Sequence, residues 1–382
     1  MAPVAVRLVA GLLCVATCGA ACGGDGGAPR AGGSGTPTAP ATGPSGETPR
    51  APLTGPTKAF AALGNPIAWA PDGSVVSVEE HGEGASPTPR CPSPQDRMVL
   101  RLHPPDGGPG RVVSEDPNVF EPVLTAVSPD GAHLAVLSYC AEEFLGSVSV
   151  VSLRSPRPSV RTLPLGEKVL YGNPFAPATL GWASAGELLV LRTTFTPDGG
   201  STTSEAVLVD VRTMRERVVA SGADLLGARA LPGGRLLTLS GDGSAYRVEV
   251  VEPGGARRRV DTATRAEPAP DGSRYAAWTT EPVDGSAYDA RLRFVPLGGG
   301  PTTYATLRGD LLAVQWSPAS DRLIALTESN ETGEAVTRRY VVGTDGTARE
   351  LDVREDHGLV WSPDGTRVAY ADGEGEITVL AV

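Results

Sequence analysis

The 382-residue chain carries 33 basic and 44 acidic side chains, a formal net charge of −11. This acidic balance excludes nucleic acid as an expected partner, because such binding relies on Lys and Arg that neutralise phosphates. No segment shows a long apolar pattern of period 3.6, which excludes a helical solenoid.

The first 21 residues are typical of an export signal. Arg7 precedes a short apolar run at residues 8–17, and small residues stand immediately before Cys22. The run is shorter than the ~20 residues needed to cross a bilayer. Small residues before a cysteine, followed by glycines, resemble the lipobox of bacterial lipoproteins. The resemblance implies cleavage before Cys22, palmitate or similar acyl chains on it, and a lipid anchor on the extracytoplasmic side of the cell membrane.

Other interpretations of the N-terminus stay open. The lipoprotein family prefers Leu three residues before the cysteine, where this chain has Gly19, and Cys14 and Cys18 are rival sites. A plain secretory signal would leave Cys22 unmodified. Residues 22–56 are rich in Gly, Pro, Ala, Ser and Thr, so we expect a disordered tether. Its root-mean-square span would be roughly 30 Å, from ~5–6 Å times the square root of residue number.

A turn between two strands recurs along the rest of the chain. In residues 360–365 (VWSPDG), Pro363 presets φ, Asp364 can bond its own backbone and Gly365 accepts a positive φ. Apolar runs on both sides indicate paired strands. Earlier copies are 69–73 (WAPDG), 127–131 (VSPDG), 182–186 (WASAG), 231–234 (LPGG), 269–272 (APDG) and 316–321 (WSPASD). A mean spacing of about 49 residues suits a four-stranded unit.

The strand–PDG–strand passages resemble the repeat of TolB-type, WD-repeat-like β-propellers, over roughly residues 57–382. The resemblance implies an all-β fold, a seven-bladed β-propeller with four-stranded antiparallel blades. The seventh blade has only three strands before the chain stops, and an open edge invites aggregation. We therefore predict that residues 57–63 close it by pairing with residues 377–380. The tryptophans before the turns, such as Trp69 and Trp361, are expected to pack between blades.

Two cysteines lie beyond the signal and its cysteine, Cys91 and Cys140. They fall in equivalent places of blades one and two, on one face, and an oxidising compartment favours a disulfide over two free thiols. Closing a loop of this length could stabilise the fold by roughly 4 kcal/mol. The bond requires a Cα separation below about 7 Å.

The longer connections run from second to third strands and between blades, and in a propeller both types emerge on one face. We place a binding site there, around the channel mouth, because loops on a rigid scaffold usually carry function. Tyr171 and Phe175 could anchor a partner, or could instead cover the channel as packing. The candidate residues are Glu79, His81, Arg90, Tyr139, Glu142, Glu143, Phe144, Lys168, Tyr171, Phe175, Phe195 and Tyr288.

Catalytic motifs are absent from the sequence. The four histidines show no zinc-ligand spacing, and no nucleophile elbow, Walker loop or dinucleotide fingerprint is present. We therefore predict no catalytic residues, no metal and no cofactor. The expected function is that of a monomeric cell-envelope scaffold that binds an envelope protein or an extracellular ligand. The alternative is an exported propeller hydrolase or lyase with its active site at the channel mouth.

Overall fold

A computed structural model describes most of the chain beyond residue 57. The described residues are 58–85, 95–116, 119, 122–140, 145–157, 159–163, 169–171, 180–195, 202–241, 246–283, 287–331, 334–353, 359–371 and 376–382. The chain divides into two units, Met1–Pro52 and Leu53–Val382, and the first lies outside the described residues. Within these ranges, no helix has the length and apolar character to span a bilayer.

The described residues form seven antiparallel blades, as the repeats predicted: six have four strands, and in blade 3 two short strands share the innermost position. Strand β1 (Lys58–Leu63) precedes the first blade. Blade 1 contains β2 (Asn65–Trp69), β3 (Val75–Ala85), β4 (Gln95–His103) and β5 (Arg111–Ser114). Blade 2 contains β6 (Pro122–Val127), β7 (His133–Cys140), β8 (Leu145–Ser152) and β9 (Val160–Thr162). Blade 3 contains β10 (Val169–Tyr171), β11 (Leu180–Ser184), β12 (Glu187–Phe195), β13 (Thr202–Asp210) and β14 (Arg215–Gly222).

The remaining blades follow the same order, from the innermost strand at the channel to the outermost at the rim. Blade 4 contains β15 (Leu225–Leu231), β16 (Arg235–Gly241), β17 (Tyr246–Val251) and β18 (Arg257–Asp261). Blade 5 contains β19 (Arg265–Pro268), β20 (Arg274–Val283), β21 (Ala287–Pro296) and β22 (Thr303–Arg308). Blade 6 contains β23 (Asp310–Trp316), β24 (Arg322–Glu331), β25 (Glu334–Gly343) and β26 (Ala348–Glu350). Blade 7 contains β27 (Val360–Trp361), β28 (Arg367–Ala371) and β29 (Glu376–Ala381).

Strand β1 supplies the fourth strand of blade 7. It pairs antiparallel with β29, with Lys58 opposite Val379 and Phe60 opposite Ile377. The predicted closure by the N-terminal segment is therefore confirmed. The first and last strands of the propeller therefore share one sheet, and β1 covers the edge of β29 that would otherwise be unpaired.

The inner turns have the predicted chemistry. Gly365 has φ 68° and its N–H donates to the carbonyl of Ser362 at 2.9 Å. Asp364 Oδ1 accepts from the N–H of Thr366 at 3.1 Å. A Cβ on Gly365 would also lie 2.3 Å from Oγ of Ser317, in the turn of the preceding blade. Glycine is thus required both for its backbone conformation and for close packing between neighbouring turns.

Packing between blades forms the core. Buried apolar side chains of the described residues make seven clusters, one at each junction between neighbouring blades. Each blade packs against a neighbouring blade on both of its faces, so both faces of its strands are buried. This explains the nearly continuous apolar character of strands such as β7 and β12. The hydrophobic core is thus a ring of inter-blade interfaces around the channel.

Three of the four tryptophans that precede inner turns join these interfaces by hydrogen bonds. Nε1 of Trp182, Trp316 and Trp361 donates to the carbonyls of Ala126, Glu267 and Gln315, at 2.9, 2.9 and 3.0 Å. In each case the acceptor lies on the innermost strand of the preceding blade. The predicted role of these tryptophans in inter-blade packing is confirmed, and their indole N–H groups also satisfy backbone carbonyls.

Trp69 differs from them. It is buried between blades 7 and 1 with Val75, Val360 and Ile377, but its Nε1 has no hydrogen-bond partner among the described residues. The guanidinium of Arg367 lies 5.4 Å from its ring centroid instead. The junction that closes the ring is therefore packed without the bond that three other junctions contain.

An arginine position on the outermost strands also ties blades together. Arg111 donates to the carbonyls of Leu153 and Ser155 in blade 2. Arg161, at the equivalent register in blade 2, donates to Val211 and Arg212 of blade 3 at 3.2 and 2.7 Å. Charge-assisted bonds of this kind are stronger than neutral ones, so these arginines stabilise the rim.

The connection from blade 2 to blade 3, which the sequence indicates only as one of the longer connections between blades, contains a strand. Val169–Tyr171 is strand β10, which pairs with the Arg192–Thr194 part of β12. Strand β11 pairs with the first half of β12. Two short strands therefore share the inner edge of blade 3, because β12 is longer than β11 and leaves backbone groups to be paired.

Candidate functional site

The strand order separates the two ends of the ring. At one end lie the connections from second to third strands and those between blades; we call this end the loop face. The tight inner turns and the connections from third to fourth strands lie at the other end, which we call the turn face. Since β1 runs from Lys58 opposite Val379 to Leu63 opposite Glu376, the chain enters the propeller at the turn face.

Five predicted site residues lie on described strands near the loop face. They are His81 of β3, Tyr139 of β7, Tyr171 of β10, Phe195 of β12 and Tyr288 of β21. Each stands within a few residues of the loop-face end of its strand, so the topology places all five backbones at one end of the ring. Their side-chain positions lie outside the described part of the structure.

Most of the other predicted residues lie outside the described part of the structure. They are Arg90, Glu142, Glu143, Phe144, Lys168, Phe175 and Cys22. Cys140 ends β7 at the loop face, and Cys91 falls outside the described ranges. The disulfide and the lipidation therefore stay predictions.

Glu79 is the predicted site residue with a described side chain. Its Oε2 accepts from Arg101 Nε at 2.8 Å, and both side chains are mostly buried. Both lie on the face of blade 1 that carries Val75 and Ser77. Glu79 is therefore already engaged in an ion pair, and its position supports the blade rather than an open ligand site.

The channel wall carries an ion pair that links blades 4 and 5. Arg229 Nε donates to both carboxylate oxygens of Glu267 at 2.8 Å, and both side chains are about three-quarters buried. The two residues lie on the innermost strands β15 and β19. A shallow cleft beside them is lined by Gly227, Thr238 and Ala266. The pair neutralises two charges that could otherwise act on a ligand in the channel.

Blade 6 contributes an apolar stretch to the wall. Leu312 is a bulged residue of β23, is 41% exposed and is followed by exposed Ala313. Gln315, also exposed, lies further along the same strand. The described inner wall of blade 6 can therefore contact an apolar or neutral group at this point.

Two histidines lie within the blades. His103 is 2% exposed, and its Nε2 is 2.8 Å from Oγ of Ser77. Burial lowers the pKa of His103, Arg101 lowers it further and Glu79 acts in the opposite direction. His133 stacks on Trp182 at a centroid distance of 6.1 Å. Both imidazoles are thus part of sheet packing, away from the channel mouth.

Metal-ligating groups are dispersed. In the part of the chain that the structure describes, no three His, Cys, Asp or Glu side chains come close enough to hold a metal ion. Several aspartate side chains there accept hydrogen bonds from backbone N–H groups of the turns that contain them. Asp130, for example, accepts from Ser128 and Ala132, and these bonds lower its pKa.

Sequence reasoning missed the Arg229–Glu267 pair. A signal was present, because both residues stand one position before the place that tryptophan occupies in other repeats, where Gln315 also stands. Polar residues at this position in three successive blades indicate a polar sector of the channel wall. The degraded turn motif of blade 4, and the absence of a tryptophan before the turn in both blades, concealed that alignment.

Solved structures share the fold of this chain. Oligogalacturonate lyase from Vibrio parahaemolyticus aligns with a TM-score of 0.58 and 11% identity, over 84% of this chain and 91% of that one. A manganese complex of oligogalacturonate lyase aligns with a TM-score of 0.54 and 12% identity, over 87% and 97%. The β-propeller domain of the trilobed protease from Pyrococcus furiosus aligns at 0.51 and 12%, over 85% and 94%, and is described as having an open velcro topology.

These likenesses show the propeller fold. In contrast to the open topology described for the protease domain, β1 closes this ring by pairing with β29. The described residues offer no ligand cluster for manganese. No family model matches the chain, and a search of curated proteins gave no match.

Proposed function

We propose that this protein is an exported, lipid-anchored β-propeller that binds a protein or other extracellular ligand at its loop face without catalysing a reaction. The observation that carries the proposal is the Arg229–Glu267 pair in the channel wall. Catalysis in a channel requires acidic or basic groups that are free to exchange protons with a substrate. Here these two are bonded to each other, and the exposed Leu312 on the innermost strand of blade 6 is apolar.

The direction of β1 supports the same function. The propeller begins at Lys58 on the turn face, at the end of the ring opposite the loop face. The residues predicted for binding, such as Tyr171, Phe195 and Tyr288, stand at the loop face. An anchored protein with this connectivity presents its long loops to partners.

The anchor itself is tested by fatty-acid labelling of cells that express the full chain. Wild type should incorporate a labelled fatty acid, and Cys22→Ala should not. Label retained in Cys22→Ala, or absent from wild type, would contradict lipidation at this residue.

An exported hydrolase or lyase is the second candidate, which the fold shared with oligogalacturonate lyase favours. The loop face would then carry carboxylates or histidines that converge above the channel. Incubation of the full chain with oligogalacturonate, with and without added manganese, distinguishes the two functions. Formation of unsaturated product by wild type would support the lyase and overturn the non-catalytic proposal.

A further inference from the structure

The charge of this protein is distributed unevenly. The outermost strands of the seven blades carry ten basic residues against three acidic ones, in a chain with a net charge of −11. The basic residues are Lys58, Arg111, Arg161, Arg215, Arg217, Arg257, Arg258, Arg259, Arg308 and Arg349, and the acidic ones are Glu216, Asp261 and Glu350. Basic residues on strand edges discourage aggregation between sheets. The concentration at blade 4, where three arginines follow one another, calls for a further reason.

Arg258 occupies the position of the tying arginines. It lies opposite Val250, as Arg161 lies opposite Val150, and both valines are buried against the following blade. Arg161 donates to two carbonyls of the next blade. Arg258 is exposed, and within the described residues its guanidinium has no hydrogen-bond or ion-pair partner. Its charge acts on Tyr275 across the junction, but its guanidinium donors form no described bond there and can bind something else.

Blade 5 forms the opposite wall of this junction at the rim. Arg293 holds Asp261 of blade 4, with its two terminal nitrogens 3.3 and 3.2 Å from the carboxylate oxygens. Tyr275 donates to the same carboxylate at 3.1 Å. The junction thus already contains one carboxylate, that of Asp261, held by an arginine and a tyrosine hydroxyl. This contact shows that the blade 5 side of the junction accommodates a carboxylate.

Next to that carboxylate are an arginine and an aromatic ring that remain accessible. The guanidinium of Arg291 lies 4.5 Å from the ring centroid of Tyr304. Tyr304 is 48% exposed, one of the few large apolar side chains exposed in the described residues. Tyrosine and arginine are the residue types that dominate binding energy at protein interfaces.

We propose that the groove between the rims of blades 4 and 5, formed by Arg258, Asp261, Arg291, Arg293 and Tyr304, binds an extended acidic segment of a polypeptide. Arg291 and Arg293 are two residues apart on β21 and share one face, about 7 Å apart. An extended chain that lies along the groove presents alternate side chains at the same interval. One carboxylate of such a chain can therefore meet Arg291 beside the Arg293–Asp261 pair, and another can meet Arg258 on the opposite wall, with Tyr304 as an apolar contact.

A polypeptide fits this groove better than a membrane surface. Arg258 and Arg291 stand on the sheet faces that blades 4 and 5 turn towards each other, as Asp261 and Arg293 do, whereas a flat membrane would contact the outer edges of the blades. The planar guanidinium favours carboxylates through paired hydrogen bonds, and the unpaired edge of β18 adds backbone groups for an extended chain.

Fluorescence anisotropy with the full chain tests the proposal. The probe is a fluorescein-labelled peptide of alternating Glu and Ser, and its Lys–Ser counterpart is the control probe. The groove variant combines Arg258→Gln and Arg291→Gln. A matched variant, Arg157→Gln with Arg212→Gln, removes two exposed arginines from third-to-fourth-strand connections of blades 2 and 3. Both variants change the net charge equally.

We expect saturable binding of the Glu–Ser probe by wild type. The groove variant should bind it roughly tenfold or more weakly, from the strength of hydrogen bonds to charged groups, and the matched variant should change the affinity less than twofold. Equal weakening in both variants, no saturable binding, or binding to phosphatidylglycerol vesicles without binding to the peptide would overturn the proposal. Thermal unfolding of all three proteins verifies that the variants are folded.

Discussion

The indole Nε1 of Trp361 donates to the carbonyl oxygen of Gln315 at 3.0 Å, and so joins blade 7 to blade 6. Trp69 is buried to a similar extent, but no acceptor for its Nε1 lies within the described part of the chain. Replacement of each by Phe separates the hydrogen bond from the packing. We expect Trp361→Phe to lower the free energy of unfolding by about 1 kcal/mol more than Trp69→Phe. Urea unfolding at pH 7 measures the difference, and equal losses would show that the bond contributes nothing.

Gly309 forms the whole connection between blades 5 and 6. Its φ is 99°, and a Cβ there would lie 2.8 Å from the carbonyl oxygen of Glu328. Gly309→Ala should therefore destabilise the protein by roughly 2 kcal/mol or more, from backbone strain and steric conflict. Gly298→Ala is the control, because a Cβ there meets no atom within 4 Å. Melting temperatures compare the two, and an unchanged Gly309→Ala protein would contradict the described connection.

An arginine that donates hydrogen bonds to the next blade should stabilise the protein more than one at the same position that does not. Arg161→Met removes two bonds to backbone carbonyls of blade 3, and we expect a loss of about 1–2 kcal/mol. Arg258→Met, at the equivalent position without a described partner, should change the stability by less than about 0.5 kcal/mol. Guanidinium chloride unfolding measures both variants. A cost for Arg258→Met as large as that for Arg161→Met would mean that the position stabilises the fold in another way.

His103 should make the protein sensitive to mild acid. Burial lowers its pKa below the ordinary value of 6.5, so the unfolded chain binds a proton at a higher pH than the folded protein. The stability that the neutral imidazole provides is therefore present above pH 6.5 and is lost as the pH falls from that value towards the lowered pKa. His103→Gln should show a shallower loss of unfolding free energy between about pH 6.5 and 5. Parallel pH profiles for the two proteins would contradict this assignment.

The predicted disulfide can be tested by thiol counting. If Cys91 and Cys140 form a disulfide, a thiol reagent should label neither of them when the exported protein is unfolded without a reductant. After reduction both should react, and stability should fall by roughly 2–4 kcal/mol in the chain-entropy description. Two reactive thiols before reduction would show that both cysteines are free.

The sequence predicted those parts of the fold that depend on local chemistry and repetition. The turn at Asp364 and Gly365 has bonding that a short peptide pattern determines, and the missing fourth strand of blade 7 followed from counting strands. Strand β10 was missed because three residues carry no periodic signal of their own; they pair only because β12 extends past β11.

The candidate site was harder to predict for a physical reason. Arg229 and Glu267 lie far apart in sequence and meet only because two innermost strands are neighbours in the ring. Similarly, Arg258 and Arg161 occupy equivalent positions, and they differ in whether the next blade presents carbonyl oxygens to the guanidinium. Such relationships depend on three-dimensional proximity between blades, which no local pattern records. Sequence reasoning could place Tyr139, Phe195 and Tyr288 at one end of the ring, but not their side chains.

Site-specific photo-crosslinking in intact cell envelopes tests the binding function most directly. A photoreactive amino acid is placed at Tyr171, on the loop face, and at Thr213, an exposed residue of the turn face. The proposed function predicts a discrete crosslinked partner from position 171 that is lost when Phe175→Ala is added, and none from position 213. Crosslinks from position 213 alone, or no partner from either position, would contradict a binding module that presents its loop face.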